Sequence, residues 1–477
     1  MPAHISGVMH AGPSPVWLPY PDDVNALMPS LWSRHAVKGA DGVLRIAGHR
    51  VDELAAQYGS PLYLLDIEDL QERARGFVAD FAAAFAAIGT SARSYYAGKA
   101  LLTTKIAGWV AESGMGIDCC SYGELLTARA AGVDPAGVGL HGNNKSDAEI
   151  ALALDWGIGR IVVDSLAEID RVDRLAAARG VRARVMVRVT VGVEAHTHDF
   201  IATAHEDQKF GLSLTTGAAH EAAARIVAAD NLELLGFHSH IGSQIFDKAG
   251  FEIAAARIAQ LRAEVQSTHG VGVPEIDLGG GFGMRYTSQD TPIPTAQMAE
   301  QLAAVISRVC AEAQTDLPVV SFEPGRSIIG PAVCTLYTVG TVKPVTTDTG
   351  IRTYVSVDGG MSDNVRTALY DADYSCTLAS RASAAQPVVV RVVGKHCESG
   401  DIVVRDEYLP ADVRAGDLVA VPGTGAYCRP LASNYNMALR PGILGVAPDG
   451  VQWVLEPETY VQLFAADPGM RNAIHDN

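Results

Sequence analysis

Residues 160–189, RIVVDSLAEIDRVDRLAAARGVRARVMVRV, decide the fold of this chain. Arg160–Asp164 is a short β-branched run, Leu166–Arg179 an Ala/Leu-rich helical stretch, and Arg182–Val189 a second β-branched run. Strand, helix and strand in that order imply a right-handed parallel unit. Outward from it, the same alternation fills the chain from about Asp66 to Ser327. The other strand candidates are Ala92–Tyr96, Gly116–Cys119, Val138–His141, Leu232–Ser239, Glu275–Leu278 and Pro318–Phe322. Helical stretches such as Glu124–Ala131, Ser146–Trp156, Phe251–His269 and Thr295–Ala313 fall between them. Eight such units in about 250 residues match a closed (β/α)8 barrel of the TIM type. The alternative is an open doubly wound sheet, whose fingerprint of a glycine loop after the first strand and an acid about 20 residues on is missing.

Beyond Pro331 the pattern changes to short strands separated by Gly, Pro and Asp turns: Thr335–Lys343, Arg352–Val357, Pro387–Val393, Asp401–Arg405, Asp417–Val421, Gly442–Val446 and Val451–Leu455. Such a run reads as a mainly antiparallel β domain. Residues 31–62, with Val43–Ile46 strand-like, join it and make it discontinuous. The expected division is an irregular segment over 1–30, β domain over 31–62, barrel over 63–330 and β domain again over 331–477.

Composition narrows the class. Hydrophobic residues make up 48% and charged residues 19%, as in an ordinary globular protein. A net charge of −17 argues against a nucleic-acid surface. The seven cysteines are scattered, only Cys119-Cys120 are adjacent, and no CxxC pair occurs, so neither a disulfide framework nor a zinc knuckle is suggested. Met1–Pro29 carries prolines and no signal pattern. No apolar run approaches the roughly 20 residues of a membrane helix. The expected location is the cytoplasm.

Chemistry enters at Tyr96-Ala97-Gly98-Lys99-Ala100. A lysine at a strand end beside small residues is placed to form a Schiff base with an aldehyde cofactor. Later segments supply what pyridoxal 5'-phosphate needs: His238-Ser239-His240-Ile241-Gly242-Ser243, Asp277-Leu278-Gly279-Gly280-Gly281, Glu323-Pro324-Gly325-Arg326 and His396-Cys397-Glu398-Ser399-Gly400-Asp401. Gly279, Gly280 and Gly281 offer backbone N–H groups to a phosphate. Glu323 is the candidate anion for a protonated ring nitrogen. Lys99, Asn143, His240, Gly279–Gly281 and Glu323 all follow the C-terminal ends of their strands, the face where barrel active sites assemble. His196, His198 and His205 do not have zinc spacing, so no metal is expected.

These segments, with His141-Gly142-Asn143-Asn144-Lys145, Lys209-Phe210-Gly211, Asp358–Asn364 and Gly425-Ala426-Tyr427, resemble the diaminopimelate decarboxylases. Those are fold type III pyridoxal-phosphate enzymes, and Val191–Gly211 is similar to their actinobacterial branch. The resemblance implies that His240 stacks on the cofactor ring, that Ser243 and Tyr427 touch the cofactor, and that Gly325 and Arg326 line the same pocket; His238, one strand period before His240, reads as a structural core neighbour. It implies that Cys397 reprotonates Cα and that its segment crosses from a partner subunit, giving a homodimer with shared active sites. It also implies a loop over the barrel mouth at Val191–Gly211, and reaction at the D-configured centre.

Diaminopimelate carries an ammonium and a carboxylate at its far end, so its pocket needs an anion and a cation. Glu398 suits the ammonium; Arg326 and Arg366, with Tyr370, suit the carboxylate, and Tyr427 adjoins the substrate. The expected function is decarboxylation of meso-2,6-diaminopimelate to L-lysine and carbon dioxide, the last step of lysine biosynthesis. Two alternatives remain at this level: decarboxylation of lysine, ornithine or a carboxylated polyamine, and a cofactor-binding regulatory protein without catalysis. Arg366 with Glu398 counts against the first, and Cys397 with the distal pocket against the second.

Overall fold

The computed structural model describes residues 15, 17–192, 209–347 and 350–470. The chain divides into two compact units, one of Gln71–Gly283 and Pro292–Ile328, the other of Met1–Leu70, Met284–Thr291 and Ile329–Asn477.

The first unit is a closed parallel barrel. Its strands are β1 (Ala92–Ala97), β2 (Gly116–Cys119), β3 (Val138–Leu140), β4 (Arg160–Val163), β5 (Ala183–Thr190), β6 (Leu232–His238), β7 (Glu275–Asp277) and β8 (Val319–Phe322). Each pairs in parallel with the next, and β8 returns to β1 with Val320 opposite Ala92. No end differs from the sequence reading by more than one residue. The strands were legible because both faces are covered, which turns them into near-continuous β-branched runs. The turns are legible for a different reason. Thr103, Ser121, Ser146 and Ser165 each accept a backbone N–H from the first turn of the helix that follows, and Ser146 with Glu149 forms a full capping box.

The barrel interior holds charge as well as hydrocarbon. Arg160, 1% exposed, bonds Glu275 at 2.6 Å and Asp277 at 2.7 Å while its guanidinium stacks 3.7 Å from the Tyr95 ring centroid. Removing one member of such a buried set costs about 3–5 kcal/mol, because the partner is left charged and dry. Asp277 then accepts the Gly279 N–H at 2.7 Å, linking this layer to the rim above β7.

The second unit is built on a mixed sheet in the order Ile402–Pro410, Pro387–Val393, Gly350–Val357, Val333–Thr347, Leu62–Asp66, Ile443–Ala447 and Gly450–Leu455. Most pairings are antiparallel; Gly350–Val357 with Pro387–Val393, and Leu62–Asp66 with Ile443–Ala447, are parallel. Leu31, Trp32, Leu44, Ile46, Leu62, Leu64, Leu336, Ala420 and Leu444 share its core, which ties residues 31–62 to the C-terminal strands.

Two expected boundaries move. The switch at residues 62 and 63 lies instead after Leu70, because Leu62–Leu65 pairs with Val333–Leu336 and the same strand pairs with Ile443–Val446. Met284–Thr291 also belongs to the β unit, although it sits within the stretch read as barrel. Residues 17–28 contain neither helix nor strand and pack on the β unit through paired hydrogen bonds between Asn25 and Ser383. His196, His198 and His205, and most of the Val191–Gly211 loop, lie outside the described residues.

Candidate active site

Within the barrel unit, the C-terminal strand ends surround a cavity of about 290 Å³. Lys99 reaches it from the turn Gly98–Ala100 directly after β1. Tyr96 closes this turn by donating its hydroxyl to the Leu101 carbonyl at 2.7 Å. Gly98 is required where it stands, since a Cβ there would lie 2.8 Å from the Asp118 carbonyl oxygen. Its flanking residues are buried and Lys99 is exposed, so the amine is the part of the turn that faces the open space.

Opposite, Glu323 is buried just beyond β8. His238 Nε2 donates to its Oε2 at 3.3 Å and lies 3.2 Å from Oε1, while His141 Nε2 lies 3.2 Å from Oε1. Burial alone pushes the Glu323 carboxyl upward, but the two imidazoles outweigh it and hold the group well below the usual range. Asp118 stands 3.2 Å from His141, and burial followed by the Glu323 charge pushes its carboxyl up. The two neighbouring carboxyls are thus pushed in opposite directions. His238, read from sequence as a core neighbour of His240, is part of the site, and so are His141, Asp118 and Arg188.

The glycine rim is organised differently from the expectation. Gly279 N–H is used on Asp277, and Gly280 N–H donates to His240 Nδ1 at 3.1 Å. Two of the three amides expected to meet a phosphate thus also fix the rim and the imidazole within the protein. The Gly280 bond makes Nδ1 of His240 an acceptor, so any proton sits on Nε2. Gly279 and Gly281 have φ of 70° and 104°, backbone that glycine alone adopts easily. Arg326, buried in the short helix after β8, donates to Ser243 Oγ from Nη2 at 3.0 Å and Nε at 3.3 Å. Gly325 packs where a Cβ would stand 2.9 Å from the Cβ of Ala97.

Two further contacts support the rim. Lys145, buried, donates to the Gly142 and Val162 carbonyls and to Glu168, which explains the lysine of the His141–Lys145 motif as an anchor. Arg188 lies 4.3 Å over the Phe210 ring, and Asp164 accepts the Gly211 N–H at 2.9 Å. Burial raises the Asp164 carboxyl to about 6.

The remaining candidates lie in the β unit. Arg366 opens the helix Arg366–Tyr370, with Tyr370 one turn on along the same face. Arg366 is 6% exposed, bonds the Tyr374 hydroxyl, and lies 4.6 Å over the Tyr286 ring. No carboxylate among the described residues pairs with it. Cys397 and Glu398 are exposed on a loop held by Asp401, which accepts the N–H groups of Met361 and His396 at 2.6 and 2.8 Å. Tyr427 is half-buried with φ of 63°.

Residues 73–330 match the family model described as pyridoxal-dependent decarboxylase, pyridoxal binding domain. Diaminopimelate decarboxylase of Mycobacterium tuberculosis H37Rv is 49% identical over 446 residues, covering 92% of this chain and 98% of that protein. The chain belongs to the diaminopimelate decarboxylase family. The Bacillus subtilis diaminopimelate decarboxylase is 42% identical over 89% of the chain and 95% of its own length. Among solved structures, diaminopimelate decarboxylase from M. jannaschii in complex with L-lysine matches with a TM-score of 0.83 and 30% identity, covering 91% of this chain and 98% of that one.

The cofactor of this decarboxylase family is pyridoxal 5'-phosphate, and the residues present fit it. A primary amine and an anionic carboxylate face one cavity, and Glu323 Oε1 is buried there without an aligned hydrogen bond, ready for a cationic ring. What the sequence missed is the second tier around Glu323. Asp118, His141 and Arg160 lie on or directly after three successive strands, β2, β3 and β4, and meet Glu323 beyond β8 only when the barrel closes, so no local spacing could have signalled them.

Proposed function

We propose that this protein decarboxylates meso-2,6-diaminopimelate at its D-configured centre, giving L-lysine and carbon dioxide as the closing step of lysine biosynthesis. The observation that carries the substrate choice is Arg366. A buried guanidinium framed by Tyr286 and Tyr374 and lacking an acidic partner among the described residues is costly unless a ligand carboxylate completes it. A diamino acid without a distal carboxylate would leave that cost in place.

Bound pyridoxal phosphate supplies an electron sink for the carbanion left at Cα when carbon dioxide departs. Lys99 would hold its aldehyde end, His240 would cover the ring, and Glu323 would keep the ring nitrogen protonated by opposing it with negative charge. Ser243, Arg326 and the Gly279–Gly281 rim, with Tyr427, hold the phosphate, and Gly325 lets the rim pack close. Arg366 and Arg326, with Tyr370, orient the distal carboxylate by forked N–H donors, while Glu398 takes the distal ammonium and Tyr427 adjoins the substrate. Cys397 stores the proton delivered to Cα, and its thiol is recharged from solvent.

Exposed Cys397 and Glu398 support a homodimer in which each copy lends this loop to the other's site. None of the seven cysteines is in a disulfide, in keeping with work in the reducing cytoplasm. Incubating the protein and cofactor with each diaminopimelate stereoisomer tests the assignment. Lysine and carbon dioxide should appear from the meso form and not from the L,L form; no lysine from meso would overturn it.

A further inference from the structure

We propose that His238 is a positioning residue that stays neutral and donates its Nε2–H to Glu323, keeping that carboxylate anionic and aimed for the ring nitrogen of the cofactor; this rests on the reading of Glu323 given above. His238 is the last residue of β6, and its side chain is 1% exposed. Its Nε2 lies 3.3 Å from Glu323 Oε2, while its Nδ1 is buried with no hydrogen-bond partner among the described residues.

The three protonation states of the ring can be separated on this geometry. The Nδ1–H tautomer turns an Nε2 lone pair toward a carboxylate and buries an N–H with no acceptor. The imidazolium satisfies Glu323 but still buries that same unmatched N–H. The Nε2–H tautomer leaves only a lone pair unmatched, and a buried acceptor without a partner costs less than a buried donor without one. Burial agrees, pushing the His238 ring down to about 4 and the His141 ring beside it to about 3. His141 meets His238 edge-on at 5.0 Å between centroids.

Neutrality is the functional point. An arginine or lysine in this place would fix Glu323 equally well but cancel the charge that the ring nitrogen needs. The real cations nearby are spent elsewhere: Arg160 on Glu275 and Asp277, and Arg188 beside Asp164 and over Phe210. Burial, and then the Glu323 charge, pushes the neighbouring Asp118 carboxyl up, toward its uncharged form. No lysine or arginine among the described residues pairs with Glu323.

The test compares His238→Gln, which retains an uncharged donor near Nε2, with His238→Phe, which keeps the ring shape and loses the donor. Holoenzymes are measured for cofactor dissociation, for the pH dependence of the bound cofactor's visible absorbance, and for kcat and KM separately. His238→Phe should lose about 10- to 100-fold in kcat and weaken cofactor binding, the range seen when a supporting partner is removed from a site group, with little change in KM. Its absorbance profile should shift toward lower pH. His238→Gln should keep kcat within about 5-fold and the wild-type profile, because a neutral donor is all the site asks for. Equal impairment of both variants, or no shift in His238→Phe, overturns the proposal. Glu323→Gln separates this from the parent reading: an unchanged profile there removes Glu323 from the ring nitrogen, whereas a changed profile with silent His238 variants removes only the role of His238.

Discussion

Gly280 lies so close to the backbone of Glu323 that a Cβ on it would stand 2.2 Å from the Glu323 carbonyl oxygen. The rim after β7 and the residue that follows β8 are therefore one packed object, and side-chain volume at 280 displaces the carboxylate. Gly280→Ala should destabilise the protein by about 1–3 kcal/mol, the usual cost of overpacking. It should also weaken cofactor binding, because the Gly280 amide orients His240. Thermal melting and a cofactor titration check both halves; an unchanged melting temperature would show that the backbone yields freely.

Lys99→Ala should abolish turnover together with the visible absorbance of enzyme-bound pyridoxal phosphate. The turn that carries Lys99 holds no second amine to replace it. A spectrum and a carbon-dioxide release assay on one preparation suffice, and normal turnover in the variant would remove the whole functional reading.

Cys397→Ala should keep the cofactor spectrum and lose about 10²- to 10⁴-fold in rate, the range for a positioned proton donor. The residue is exposed and its amide is held by Asn436 at 3.3 Å, so the substitution should leave the fold intact. An unaffected rate would reject its role as the proton source.

Arg366→Ala should lower kcat/KM for diaminopimelate at least about 100-fold, as expected when a buried, charged hydrogen-bonding partner is lost. A substrate lacking the distal carboxylate should be affected far less. Arg366→Lys should not restore activity, because an ammonium cannot present the forked donors or stack on Tyr286. Equal losses on both substrates would refute the specificity argument.

Asp164 makes a pH prediction with a definite sign. Its carboxyl is raised from 3.8 to about 6 in the folded protein, with burial as the main cause. Between those values the folded state binds more protons than the unfolded one, so this group's contribution to stability falls as pH rises from about 4 to about 6 and is level above that. The span corresponds to at most about 3 kcal/mol. Asp164→Asn should flatten that part of a stability–pH profile measured by denaturant unfolding; an identical slope in the variant would exclude Asp164 as its source.

The barrel was readable in the sequence because its strands are largely buried on both faces and four of its helices begin at a serine or threonine cap, while those starting at Ala218, Ala249 and Thr295 carry no such mark. Lys99, His240 and Glu323 were readable for a related reason, since each directly follows a strand and a barrel collects such residues at one mouth. His238 was misjudged as a core residue. It shares its strand face with His240, and only the closure of β6 toward β8 reveals that it meets Glu323. Tyr374 and Tyr286 were missed around Arg366 because the helix ends at Asp371, with φ of 57°, before Tyr374, while Tyr286 comes from a separate segment. The bonds of Gly279 to Asp277 and of Gly280 to His240 were not legible, because glycines announce where backbone approaches closely but not which protein groups it meets there.

The strand Leu62–Asp66 finds its neighbours at Val333–Leu336 and Ile443–Val446. During synthesis this apolar segment leaves the ribosome hundreds of residues before either companion exists, so its unpaired edges must wait through translation of the intervening region. Nascent chains stalled before residue 333 should accordingly recruit chaperones through that segment, and polar replacements at Leu62 and Leu64 would relieve the recruitment while costing the finished sheet its centre.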